Sequence, residues 1–183
     1  MKTFVCTLLF VIFCLFSCSS GKQADASAER ESLIASIDSL EKKMFNRQSM
    51  EMDKELAAKE IQLYQNFVKK FRDDSLSAEY LFRSSDLARA LGDSSGSIGY
   101  LSQICNNYPA YKKIPECIFL QGYYCQEFFG DTTQAKSFYN QLISKYPGHA
   151  FVDDAKALMQ MFGKSEQDII NDFEKKAGEK KKI

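Results

Sequence analysis

Histidine, proline, long apolar runs and an excess of either charge are what this chain has little of. Its 24 Lys and Arg balance 24 Asp and Glu, for a formal net charge of +0. No global basic field exists to hold nucleic acid. The longest uncharged apolar stretch, Thr3 to Phe16, is about fourteen residues, short of the ~20 that a membrane-spanning helix needs. No run alternates apolar and polar residues as a half-buried strand does. A Gly-rich phosphate loop and a Gly-x-Ser-x-Gly nucleophile turn are both missing. The single histidine, His149, sits in the turn Pro147-Gly148-His149-Ala150 and reads as surface decoration. Cys105, Cys117, Cys125 and His149 lack the close pairs that zinc sites use. The carboxylate pairs Asp73-Asp74 and Asp153-Asp154 stand where helices start, so capping and the helix dipole account for them. A catalytic constellation is therefore not expected, and no cofactor or metal is implied.

The apolar stretch behind Lys2 suits the core of a secretory signal. It is followed by Leu15-Phe16-Ser17-Cys18-Ser19-Ser20-Gly21. At Leu15, Ser17 and Cys18 this resembles a bacterial lipoprotein signal, which implies cleavage after residue 17 and lipid attachment at Cys18. The alternative is an ordinary secretory signal cut near Ser19 or Ser20. Acyl chains contribute about 0.8 kcal/mol per buried methylene, so the protein would be tethered to a membrane without spanning it. Ser19 after the Cys, instead of Asp, points by the same resemblance to the outer membrane. Residues 18–28 are small and polar and read as a flexible tether; residues 176–183 read as a disordered basic tail. Cys6 and Cys14 leave with the signal. Of the remaining cysteines, Cys105, Cys117 and Cys125 are an odd set and no disulfide framework. A Cys105–Cys117 bridge across one turn and three small buried apolar residues are the two readings left open.

What is present is a period. Tyr108-Pro109 and Tyr146-Pro147 lie 38 residues apart, as do Gly92-Asp93 and Gly130-Asp131. Apolar residues recur at helical spacing before each Tyr-Pro: Ile98, Leu101, Ile104, Cys105 and Tyr108, then Ala135, Phe138, Tyr139, Leu142, Ile143 and Tyr146. Ile61, Tyr64, Phe67, Val68 and Phe71 repeat the pattern once earlier, ending in Phe71-Arg72. Preceding helices carry Leu33 to Phe45, Leu81 to Leu91, and Phe119 to Phe129; the last is apolar almost all round, which predicts packing on several sides. A further hairpin starts at Val152, and Ser165-x-x-Asp168 marks a final helix. Gly92 and Gly130 suit left-handed helix ends, Asp93 and Asp131 suit caps, and Pro115 suits a first turn. Gly99 reads as a close helix approach or as surface slack.

Gly130-Asp131, Ala135, Tyr139, Leu142 and Pro147 resemble the second half of a tetratricopeptide (TPR) repeat; Gly92, Leu101, Ile104 and Pro109 match it more loosely. The period of 38 exceeds the usual ~34. The lengthened form is similar to repeats of the outer-membrane assembly lipoprotein BamD and Tol-associated periplasmic families. The resemblance implies an all-α, right-handed α-solenoid of about three and a half hairpins over residues 29–175. It implies a protein or peptide partner, against first helices whose groove residues would be Phe82, Asp86, Arg89, Leu120, Tyr124 and Glu127. Core packing is the other reading of Phe82, Leu120 and Tyr124. The expected function is a lipid-anchored envelope scaffold, with outer-membrane protein assembly as its sharpest form. The alternative is an accessory subunit of an envelope enzyme with a reactive Cys105 or His149.

Overall fold

The computed structural model describes residues 19–45 and 52–180. The predicted signal peptide, Cys18 and residues 181–183 lie outside the described residues. Among the described residues the regular elements are eight helices and no strand. They are α1 (Ser19–Phe45), α2 (Lys54–Lys70), α3 (Ser75–Ala90), α4 (Ser94–Asn107), α5 (Ile114–Phe129), α6 (Thr132–Lys145), α7 (Phe151–Met161) and α8 (Glu166–Lys180). None of the described helices is long and apolar enough to cross a membrane.

Two predicted ends are more regular than their composition suggested. Helix α1 begins at Ser19, so residues 19–28 are helical where a flexible tether was expected. Ala24, Ala26 and Ala28 are strong helix formers, and the segment extends a helix nucleated further on. Its side chains from Ala24 to Glu29 are exposed, so packing does not hold it. Helix α8 likewise carries through to Lys180, into the segment expected to be disordered.

The chain divides between Leu91 and Gly92 into two compact units. The division falls in the turn of the expected hairpin of 81–91 with 98–108, so its first helix belongs to one unit and its second to the other. In the first unit, α2 packs on both α1 and α3. Ile37, Tyr64, Phe67 and Tyr80 form the core there, flanked by Leu33, Ile34, Leu63, Val68, Phe71, Leu76 and Leu87. Tyr64 stacks on Tyr80 with ring centroids 5.0 Å apart, and Phe67 meets Tyr80 edge-on at 4.8 Å. Burying each such ring contributes roughly 1.5–3 kcal/mol. In the second unit α5 packs between α4 and α6, while α7 rests on α6 and α5.

The repeat is visible in the backbone. Phe71, Tyr108 and Tyr146 end α2, α4 and α6 with nearly the same dihedrals, φ −124, −130 and −134° with ψ 57, 60 and 56°. Each donates its backbone N–H to the carbonyl four residues earlier, in Phe67, Ile104 and Leu142. Each then accepts from the N–H three residues on, in Asp74, Tyr111 and His149, at 2.9–3.0 Å. Arg72 follows the first of these caps and proline the other two, so the turn does not depend on proline. Counting back from the caps, Tyr64, Leu101 and Tyr139 occupy one buried position and Phe67, Ile104 and Leu142 the next.

The expected punctuation is in place. Gly92 and Gly130 adopt φ of 85 and 63°. Asp93 accepts from the Gly96 N–H and Asp131 from the Gln134 N–H. Asp74 caps α3 through the Leu76 N–H and also accepts from Arg30 of α1. Asp153 and Asp154 lie in the first turn of α7, where the dipole favours them. Ser165 and Asp168 exchange hydrogen bonds at the start of α8. Gly99 has open space where its side chain would be, which decides for slack over close approach.

Candidate functional site

Helix α5 carries more apolar residues than one neighbour can cover. Its buried face, with Cys117, Ile118, Gln121 and Cys125, leaves Phe119, Leu120 and Tyr123 only half-buried. Helix α7 is shorter and buries only Val152 and Ala155. Between the two runs a groove of about 400 Å³, lined by Phe119, Leu120 and Tyr123 of α5 and Asp154, Ala157, Leu158 and Met161 of α7. Three lining pairs sit one period of 38 apart: 119 with 157, 120 with 158, and 123 with 161. The groove is thus built by equivalent positions of two successive first helices.

Its wall is rigid on one side. The Phe119 ring stacks on Phe151 with centroids 4.6 Å apart and touches Tyr139, itself fully buried, at 5.7 Å. An aromatic wall held from behind loses little entropy when a ligand packs on it. Asp154 is the one charged residue of the lining. A mostly apolar trough with one carboxylate suits an apolar side chain flanked by a cation, as in recognition of a peptide or partner helix.

Of the residues predicted to face a groove, Leu120 lines this one. Tyr124 is 3% exposed and packs on Phe128 at 5.5 Å, so its ring is core and has almost no surface to offer. Helical register explains this, because position 124 points one residue past the face that 119, 120 and 123 share. Glu127 is exposed near the end of α5. Phe82, half-buried, and Asp86 and Arg89, both exposed, lie on α3 in the other unit. Sequence reasoning missed Phe119, Tyr123, Asp154, Ala157, Leu158 and Met161. Extending the 38-residue period from α5 into the next hairpin would have found the α7 half. As expected, α5 is packed on several sides, by α4, α6 and α7, but its end is open, where Phe128 and Phe129 are 43% and 52% exposed.

His149 is more than decoration. Its Nδ1 accepts the Phe151 N–H at 3.3 Å, its ring meets Phe151 at 5.4 Å, and its Nε2 lies 3.7 Å from Glu116. It steadies the start of α7, and hence one wall of the groove. Among the described residues no group of three or more His, Cys, Asp or Glu is placed to hold a metal.

The first unit has its own electrostatic centre. Eleven residues before the caps Phe71, Tyr108 and Tyr146 stand Glu60, Ser97 and Ala135, all fully buried. A small residue fits where helices approach; Glu60 places a carboxyl there. Neither of its oxygens has a hydrogen-bond partner. The Tyr64 hydroxyl donates to Glu41 instead, at 2.6 Å, and Arg83 pairs with that same Glu41 oxygen. Burial first, and then the nearby Glu41 charge, push Glu60 up to about 7, opposed by the Arg83 charge.

No curated protein and no solved structure matches this chain. Residues 116–149 match the tetratricopeptide repeat family, so the hairpin of α5 and α6 behind the groove is similar to one such repeat.

Proposed function

We propose that this protein is a non-enzymatic scaffold that holds a segment of a partner protein in the α5–α7 groove while a lipid on Cys18 keeps it at the bacterial cell envelope. The observation that carries the first half is the groove itself: apolar, backed by a rigid aromatic wall, and lined by equivalent positions of consecutive repeats. Family likeness at 116–149 supports the same reading, since such repeats are protein-interaction modules. The second half rests on the Leu15-Phe16-Ser17-Cys18 signal in the sequence. The outer membrane, and a role in assembling its proteins, is the setting that the lipoprotein and repeat resemblances suggest.

A photo-crosslinking residue at Ala157, which is exposed on the groove wall, tests both halves in intact envelopes. The expected result is a discrete crosslinked protein at Ala157 and none from a probe at Lys136 on α6. Barrel-assembly components among the products would support the assembly role; cell-wall or uptake machinery would replace it. Equal labelling from both positions would refute the groove. Release of the protein to the soluble fraction in a Cys18→Ala variant is expected, and retention would refute the anchor.

A further inference from the structure

Cys105 lies in the last turn of α4 and Cys117 in the first turn of α5, on either side of the linker Tyr108 to Lys113. That linker is where the repeat exceeds the usual length. The two thiols are neighbours, each perturbing the other. Gln121 fastens the arrangement. Its Nε2 donates to the Cys105 sulfur at 3.5 Å and to the Cys117 carbonyl at 3.1 Å, and its Oε1 accepts from Ser102 at 2.7 Å. Gln121 is itself 2% exposed, so this is a built polar contact between α4 and α5. Cys105 is half-buried, while Cys117 and Cys125 are buried. Cys125 is engaged elsewhere, its thiol donating to Gln134 at 3.3 Å.

We propose that Cys105 and Cys117 form a reversible disulfide that staples the lengthened linker, leaving Cys125 reduced. Hydrogen bonding with its neighbour Cys117 and with Gln121 holds the Cys105 thiol below its ordinary range, while the same contact and burial push Cys117 up. Cys105 is therefore the attacking thiolate. The oxidant is a disulfide, either a small molecule or a thiol–disulfide oxidoreductase. Cys105 sulfur attacks one sulfur of that disulfide, whose S–S bond breaks and releases a thiolate. The departing thiolate takes the Cys117 proton. Cys117 sulfur then attacks the Cys105 sulfur of the mixed disulfide, breaking its S–S bond and releasing the second thiolate, which takes up the proton that Cys105 gave to solvent on ionising. Two protein thiols are oxidised and one disulfide is reduced to two thiols.

The test exposes the full chain to oxidised glutathione, blocks remaining thiols under denaturing conditions, and maps peptides without reduction. Cleavage after Tyr111 separates Cys105 from Cys117, and cleavage after Phe119, Tyr123 or Tyr124 separates Cys117 from Cys125. The expected result is a Cys105–Cys117 linked pair, an alkylated Cys125, and a thermal midpoint raised by several degrees, because the cross-link constrains the unfolded chain. In a Cys117→Ser variant a glutathione adduct should accumulate on Cys105. Linkage of either residue to Cys125, or a wild-type protein that keeps both thiols free, overturns the proposal. Should the variant lose its helical circular dichroism, the wild-type peptide map decides alone.

Discussion

Tyr139 lies flat against Gly122: a Cβ on Gly122 would fall 2.7 Å from Cε1 and 2.9 Å from Cδ1 of the tyrosine ring. This contact sets how closely α5 approaches α6 in the hairpin behind the groove. The glycine stands where the ring needs room.

Two alanine substitutions should therefore differ in sign. Gly99→Ala meets open space and should stabilise the protein by about 1 kcal/mol through helix propensity. Gly122→Ala gains the same propensity, but overpacking against a fully buried ring costs about 1–3 kcal/mol and should leave it net destabilised. Removing the ring by Tyr139→Ala should cost about 3–5 kcal/mol. Urea unfolding followed by circular dichroism checks all three, and equal stability of the two glycine variants would refute the contact.

Glu60 should make stability fall as pH rises. Unfolded, the carboxyl titrates near its ordinary 4.5; folded, it is pushed up to about 7. Between those values the folded state binds the proton more tightly, so its advantage shrinks from about pH 4.5 upward and is gone above pH 7. Glu60→Gln should flatten this slope and be the more stable protein at pH 8, by about 2 kcal/mol. Denaturant midpoints from pH 4.5 to 8 measure it; parallel wild-type and variant profiles would contradict the assignment.

Groove and core variants should separate. Ala157→Phe fills the trough from an exposed position and should abolish partner crosslinking with the thermal midpoint almost unchanged. Tyr124→Ala empties a buried site and should cost about 3 kcal/mol whether or not the partner still binds. Partner capture that survives Ala157→Phe would place the interface elsewhere.

The aspartate caps should be interchangeable in effect. Asp93→Ala and Asp131→Ala each remove one side-chain bond to a helix N–H and should cost about 1 kcal/mol apiece. Differential hydrogen exchange should locate the loss in the first turns of α4 and α6. A uniform loss of protection through each helix would mean that the caps do more than close an end.

Local signals were legible along the chain. The Tyr-Pro spacing, the Gly-Asp turns and the helical spacing of apolar residues act over one to three turns. They place the helices, their caps and the buried positions of Tyr64, Leu101 and Tyr139 before any neighbour is known. What a face packs against is not local. Tyr124 and Leu120 stand one turn apart on the same apolar helix, yet the first is core and the second lines the groove, because α7 passes one and not the other. Glu60 holds the place of Ser97 and Ala135, but its burial comes from α1 and α3 closing over it. Cys105 and Cys117 meet because the linker between α4 and α5 folds back and Gln121 bridges them. Periodicity in a sequence records that a surface is covered; only the arrangement of other helices decides by what, and which surfaces stay open.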